Sequence, residues 1–450
     1  MKAFMKKPSM LFRLGFKAWL LSLCLLLLFS LTACSASPST IKFNDYTLLD
    51  GPILDIPYIE EEEAQPSFPS KIAGSTETID ANGIVHGVTP GGIRYTVHGR
   101  GVAGGAPDKV TLCAVGDQLA TSMSLPIAAR YAGGSGYDFT PFYREIAPMI
   151  QSYDLRYINQ ETVMATRGGY SVTGYPVFNS PDNMAQTIAN VGFNLVNFAT
   201  NHTYDLGKRG VELSHEVWAQ YPELMIGGSY LTQEDRETVH MIERNGITFA
   251  FLAYTYGDNM YGFGTANMPN SYYACQFDRE LITADVRRAQ QVADVIILSI
   301  HWGNEYIWEP TWQQYEWAEF FADLGVDLVL GSHAHIVQPT RYITGPSGNT
   351  VPVVFGLSDI VSGWTLVDTI FSGIFTCDFV RQSDGTITVE NLLWYPTIEW
   401  SNGGDVYVRL LKDMDQATIN SNTRTSDVNN DYNYLWNMIH NMGMEIPIVW

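Results

Sequence analysis

Val326-Asp-Leu-Val-Leu330 runs directly into Gly331-Ser332-His333-Ala334-His335. A short apolar run ending in glycine and polar residues is how a buried parallel strand reads where it delivers side chains to its C-terminal edge. Two histidines two residues apart share one side of an extended segment. The same event recurs upstream. Residues 110–115 run into Gly116-Asp117, residues 155–158 into Asn159-Gln160-Glu161, residues 193–199 into Thr200-Asn201-His202, and residues 295–300 into His301-Trp302-Gly303. Segments 183–191, 280–293 and 313–324 between them read as helices. Strand, polar loop, helix, strand is the order of βαβ units and predicts an α/β fold. Residues 351–355, 373–380 and 386–393 read as later strands, the last two turning at Ser383-Asp384-Gly385. They predict an antiparallel sheet that completes the core.

In an open α/β sheet, ligands bind beyond the carboxyl ends of the strands. Asp117, Glu161, Asn201, His202, His301, His333 and His335 all follow apolar strands, so five segments aim donor groups at one edge. Carboxylates, an amide oxygen and imidazoles suit Mn, Fe, Zn or Mg rather than a thiolate site. Two such ions about 3.5–4 Å apart can clamp a phosphate. Each residue alone has a plainer reading. Asp117 can cap a helix, Glu161 can form an ion pair, and a single histidine after an apolar strand is ordinarily a satisfied core residue. The joint occurrence carries the case, because four of the nine histidines fall in three strand-end motifs.

The N-terminus carries Lys2, Lys6, Lys7, Arg13 and Lys17, then an apolar run over residues 18–31. That run has the length of a signal-peptide core and is short for a membrane span. Leu31-Thr32-Ala33-Cys34 follows and resembles a bacterial lipobox, which implies cleavage before Cys34 and lipidation of its sulfur. The expected result is an extracytoplasmic chain anchored in the bacterial cell membrane. Residues 34–108, with Glu60-Glu61-Glu62-Glu63 before a Pro-broken stretch, read as tether and linker. A small hairpin falls within 79–102. Residues 109–400 form the main domain and 401–450 a helical appendix. The net charge is −21, and loss of residues 1–33 removes five positive and no negative charges to leave −26. Such a surface repels nucleic acid and argues against it as a partner. Cys113, Cys275 and Cys377 read as buried thiols, with room for one bridge among them. Trp302, Trp308, Trp312 and Trp317 read chiefly as packing for the helix that follows, and secondarily as a polymer groove.

The blocks Ala114-Val-Gly-Asp117, Asn159-Gln-Glu161, Ala199-Thr-Asn-His-Thr-Tyr-Asp205-Leu-Gly207, Ser299-Ile-His-Trp-Gly-Asn-Glu305-Tyr306 and Gly331-Ser-His-Ala-His335-Ile-Val-Gln338 occur in that order. Over residues 109–400 they resemble the CapA-type capsule or poly-γ-glutamate biosynthesis proteins of the calcineurin-like metallophosphoesterase superfamily. The resemblance implies a sandwich of mixed sheets flanked by helices, holding one or two divalent ions. It implies Asp117, Glu161, Asn201, His301, His333 and His335 as metal ligands, with Glu161 bridging. It implies that His202 contacts substrate and protonates the leaving oxygen, and that Asp205 and Glu305 orient histidines. The implied partners are a cell-surface anionic polymer, such as capsule or poly-γ-glutamate, and a membrane synthase complex. Phosphoester-type hydrolysis is one expected activity, and non-catalytic polymer binding in synthesis or export is the alternative. There are departures. Leu119 stands where the superfamily's Asp-x-His opening has its histidine, which leaves one metal position a ligand short. Ser358 and Asp359 stand where Gly and Asn are expected.

Overall fold

The structure is a computed structural model, and it describes residues 72–102, 108–260, 262–263, 272–415, 417–418, 421–423 and 428–450. Cys34, the signal segment and the Glu60–Glu63 stretch lie outside the described residues.

Two mixed sheets pack face to face. The first has nine strands in the order Thr76–Ile79, Val85–Val88, Arg94–His98, Val239–Arg244, Ile247–Thr255, Val295–His301, Leu328–Ser332, Thr350–Leu357 and Val337–Thr344. The second runs Val406–Leu410, Ile387–Ser401, Phe371–Arg381, Lys109–Gln118, Leu155–Gln160, Leu195–Asn197 and Met225–Gly227, with Asp359–Val361 paired to Lys109–Gln118. The first has a parallel centre between antiparallel flanks, whereas the second is parallel from Lys109–Gln118 out to its Met225–Gly227 edge and antiparallel on its other side. This is the α/β sandwich, mixed sheets flanked by helices, that the sequence predicts.

The parallel strands are apolar on both faces because both faces are covered. Between the sheets, Leu112, Tyr157 and Phe375 of one meet Phe249, Ile297 and Leu330 of the other. Outside the second sheet, helices Met184–Val191 and Gly207–Trp218 bury Ile188, Val191 and Val217. Outside the first, helices Arg279–Ala289 and Trp312–Leu324 bury Ile282, Val286 and Phe321. The second of these starts at a capping box in which Thr311 and Gln314 satisfy each other's backbone N–H groups. Tyr157 and Ser299 hydrogen-bond at 2.8 Å across the buried gap between the sheets. With the apolar core around it, that bond joins the two sheets, whose parallel strands end on the same edge.

The sequence reading and the structure differ in two places. Residues 76–98, within the stretch read as tether, form three strands of the nine-stranded sheet. Within the stretch read as appendix, Val406–Leu410 pairs with Ile387–Ser401, and helix Val428–Asn441 buries Leu435 and Ile439 in the inter-sheet core. Cys113, Cys275 and Cys377 are free, buried thiols. Among the described residues, no helix is long and apolar enough to cross a membrane.

One backbone contact positions the edge. The Asp117 N–H donates to the Ser358 carbonyl at 2.8 Å. A Cβ on Gly116 would lie 1.7 Å from that oxygen, and the obstacle is backbone that cannot rotate away. Gly116→Ala is therefore predicted to cost about 3 kcal/mol or more in stability, read as a lower urea midpoint. An unchanged midpoint would refute this packing.

Candidate metal centre

Asp117 ends the strand Lys109–Gln118 and is fully buried. Its Oδ1 accepts from Asn159 Nδ2 at 2.7 Å and its Oδ2 from the His333 backbone N–H at 3.2 Å. Glu161 follows the next strand, and its N–H donates to the Gln118 carbonyl at 3.3 Å. Thr200 Oγ1 donates to the Glu161 carbonyl at 2.5 Å and so ties the Asn201-His202 loop to this strand end. The Gln160 side chain turns into the same loop region, donating to Thr162 O at 2.8 Å.

The Glu161 carboxylate is at the middle of the cluster. Both of its oxygens are buried, and neither has a hydrogen-bond partner among the described residues. Oε1 lies 3.9 Å from His301 Nε2 and 3.8 Å from His335 Nε2, outside hydrogen-bonding range. His301 Nε2 and Asn201 Oδ1 point at each other across 2.9 Å, while His301 Nδ1 is held by Ser332 Oγ at 2.8 Å. His333 Nδ1 is buried and unpartnered, and its ring lies 4.7 Å from those of His301 and Tyr256. His335 Nδ1 bonds Asp359 Oδ1 at 2.8 Å. His333 and His335 both adopt left-handed backbone, φ 91° and 57°. These are costly conformations for residues with a Cβ, of the kind that gather at functional sites.

The donors form two overlapping groups. Asp117, Glu161 and His335 offer atoms within 4.8 Å of one another, and so do Glu305, His333 and His335. The electrostatics match a centre suited to a cation. Burial, then the nearby Asp359 carboxylate, pushes the Asp117 carboxyl up to about 7 against the pull of His335. Burial and the neighbouring carboxylates raise Glu161 well above the carboxylate range. Burial and the adjacent imidazoles hold His301 and His333 well below the usual histidine value, so both are neutral donors. Burial opposes charge on His335, but the carboxylates of Asp359, Glu161 and Asp117 outweigh it and raise its pKa well above normal. A buried carboxylate with both oxygens unpaired is expensive, and a bound cation removes the cost. The donor set therefore fits divalent metal. Asp117, Glu161 and His335 would hold an ion on the oxygen-rich side, and Asn201, His301 and His333 on the imidazole side.

All nine side chains nominated from the sequence gather at this edge, one of them, Glu305, differently from expectation. His202 Nδ1 bonds Asp205 Oδ2 at 2.8 Å, and the same oxygen accepts the Phe178 N–H at 2.7 Å, so Asp205 orients His202. Glu305 is exposed and faces the donors of His333 and His335 rather than standing behind a histidine. The carboxylate that holds a ligand histidine from behind is Asp359, paired in register with Asp117. The sequence showed Asp359 as a departure but gave it no role. Ser332, inside the His-x-His block, was also missed. Of the four tryptophans after His301, Trp302 is buried and Trp317 packs on Phe277, Phe320 and Phe321, whereas Trp312 is 69% exposed.

Residues 111–363 match the family described as bacterial capsule synthesis protein PGA_cap. The PGA biosynthesis protein CapA of Bacillus subtilis (strain 168) is 27% identical over 182 residues, covering 40% of this chain and 46% of the relative. The capsule biosynthesis protein CapA of Bacillus anthracis is 23% identical over 238 residues, covering 51% and 56%. The chain thus spans about half the length of these curated relatives. Among solved structures, Haemophilus influenzae NAD nucleotidase (NadN) aligns with a TM-score of 0.41 at 11% identity, over 75% of this chain and 68% of that one.

Two outcomes follow from the centre. In chelator-treated protein above about pH 4.5, Glu161→Gln should raise stability by about 1–3 kcal/mol, because a neutral amide replaces a carboxyl that resists ionising where it sits. The same change should weaken Mn or Zn binding at least about 100-fold in titration calorimetry. In the unaltered protein, metal affinity should climb as pH rises through about 7, because below that the ion must displace a proton from Asp117 to the buffer. A flat affinity across that interval would contradict the assignment of Asp117 as a ligand.

Proposed function

This chain belongs to the bacterial capsule synthesis protein PGA_cap family, and we propose that it is a metal-dependent hydrolase acting on a phosphoester-type bond of a capsule polymer outside the cytoplasm. The observation that carries this reading is the pair of unpartnered, buried Glu161 oxygens among Asp117, His301 and His335. Divalent ions, when bound there, supply Lewis acidity and offset charge on a phosphoryl group. The chain's own residues do the rest. Asn201, His301, His333 and His335 hold the centre's shape. His202, fixed through Nδ1 by Asp205 and with the Asn259 amide nitrogen 3.4 Å from its Nε2, hands a proton to the leaving oxygen. The Phe178 ring, 4.6 Å from the His202 ring, shields one face of the imidazole from water.

The lipobox-like Leu31-Thr32-Ala33-Cys34 supports export and a lipid anchor on Cys34, which would hold the enzyme at the membrane beside a polymer synthase. Cys34→Ser should release the protein from the membrane fraction.

A second reading is a non-catalytic grip on the polymer during synthesis or export. Leu119 favours it, since a buried leucine stands where the superfamily's opening histidine would complete one metal position. His202→Ala separates the two. Hydrolysis predicts that kcat on a chromogenic phosphodiester falls about 10²–10⁴-fold with metal content unchanged, and that capsule formation in cells fails with it. Normal capsule in cells carrying His202→Ala would leave only the grip. Turnover that survives His333→Ala, or protein that takes up no metal, would overturn the hydrolase.

A further inference from the structure

A cavity of about 20 Å³ is bounded by the helices Gln233–Glu237 and Arg279–Ala289 and the strand Ile247–Thr255. Arg236, Tyr254, Cys275, Asp285 and Arg288 are among the residues that line it, and none of them belongs to the metal centre. Asp285 is buried and gathers the others. Its Oδ1 and Oδ2 accept from Nη1 and Nη2 of Arg236 at 2.8 Å each, a two-pronged pairing. Oδ2 also accepts the Tyr254 hydroxyl at 2.8 Å, and Oδ1 accepts from Nη2 of Arg288. A carboxylate offers about four lone-pair sites, and these four donors take them.

The charges in this wall do not balance. Two guanidinium groups meet one carboxylate, and Arg236 is only 6% exposed, so water screens it little. Glu237 also lines the cavity, but its oxygens are engaged elsewhere: Gln233 Nε2 donates to Oε1 at 2.8 Å, and Arg94 Nη2 lies 3.6 Å from Oε2. His240 Nε2 faces Asp235 at 3.3 Å. Cys275 supplies no negative charge, because burial pushes its thiol up to about 12. Arg288 Nε is buried and has no acceptor among the described residues. A buried cationic donor without an acceptor is costly, and an anion beside it removes that cost. Size then selects the anion. The cavity accommodates one species of about the bulk of a water molecule. A halide is only slightly larger, whereas phosphate and organic acids are too large. Water would meet the donor but leave the surplus charge in place.

We propose that this cavity is a binding site for one small monovalent anion of the halide class, chloride above all, held by Arg288 and Arg236 beside Asp285. The site stands apart from the metal centre and does not depend on the hydrolase reading. The test is calorimetric melting of the purified full chain in EDTA at constant ionic strength, with sodium gluconate replaced stepwise by sodium chloride. Gluconate is too large to enter the cavity. The midpoint should rise by about 1–3 °C and level off as chloride saturates the site, and bromide should act in the same way. Arg288→Gln should abolish the chloride dependence whatever it does to the midpoint itself, which separates the site from general salt effects. A crystal of the unaltered protein soaked in bromide should show one anomalous peak within hydrogen-bonding reach of Arg288 Nε, and this arm stands even if the variant fails to fold. A midpoint no higher in chloride than in gluconate overturns the proposal. So does a chloride dependence that persists in Arg288→Gln, or a soaked crystal with no bromide beside Arg288.

Discussion

A carboxylate placed where water cannot reach it, and which no donor among the described residues meets, organises this molecule. Glu161 sits at the convergence of both sheets with two bare oxygens. His301 and His335 turn ring nitrogens toward it. Asp117 and Asp359 add further negative potential, which a divalent ion can answer and a proton answers less well. The fold's contribution is to make the arrangement rigid: Glu161 N–H is pinned to Gln118, and the Asn201 loop is pinned to the Glu161 carbonyl.

The convergence is itself a consequence of strand direction. Parallel strands end on the same side, and residues at those ends share an edge whatever their separation in sequence. Two sets of parallel strands, joined through Tyr157 and Ser299, double the number of ends available. One sheet brings Asp117, Glu161 and Asn201, and the other brings His301, His333 and His335. In chain order the carboxylate-bearing half comes first and the imidazole-bearing half second, and the two chemistries meet only when the halves are packed.

Much of this was legible before any coordinates. Apolar runs ending in Asp, Glu, Asn or His announce both strand and site, because burial and function act on adjacent residues there. Asp359 was harder to read. Its strand is three residues long and its role depends on pairing with Asp117, a contact some 240 positions away in sequence. Glu305 misled for a related reason. Adjacency to the His301 block placed it near the centre, but only the loop's path through Gly303, φ 94°, decides which side of the histidines it meets.

The three strands between Thr76 and His98 have a bearing on how the chain is handled. They resemble linker in sequence, rich in glycine and short in apolar runs. Yet Arg94–His98 lies in parallel register on Val239–Arg244, and Thr96 hydrogen-bonds His240 at 3.1 Å. A shortened chain that starts where the strand pattern becomes obvious, near Lys109, would leave Val239–Arg244 as the sheet's margin. Its unpaired N–H and C=O groups would then offer a template to other chains, the usual route to edge-to-edge aggregation. What reads as slack between an anchor and a domain is the border that keeps the larger sheet from growing.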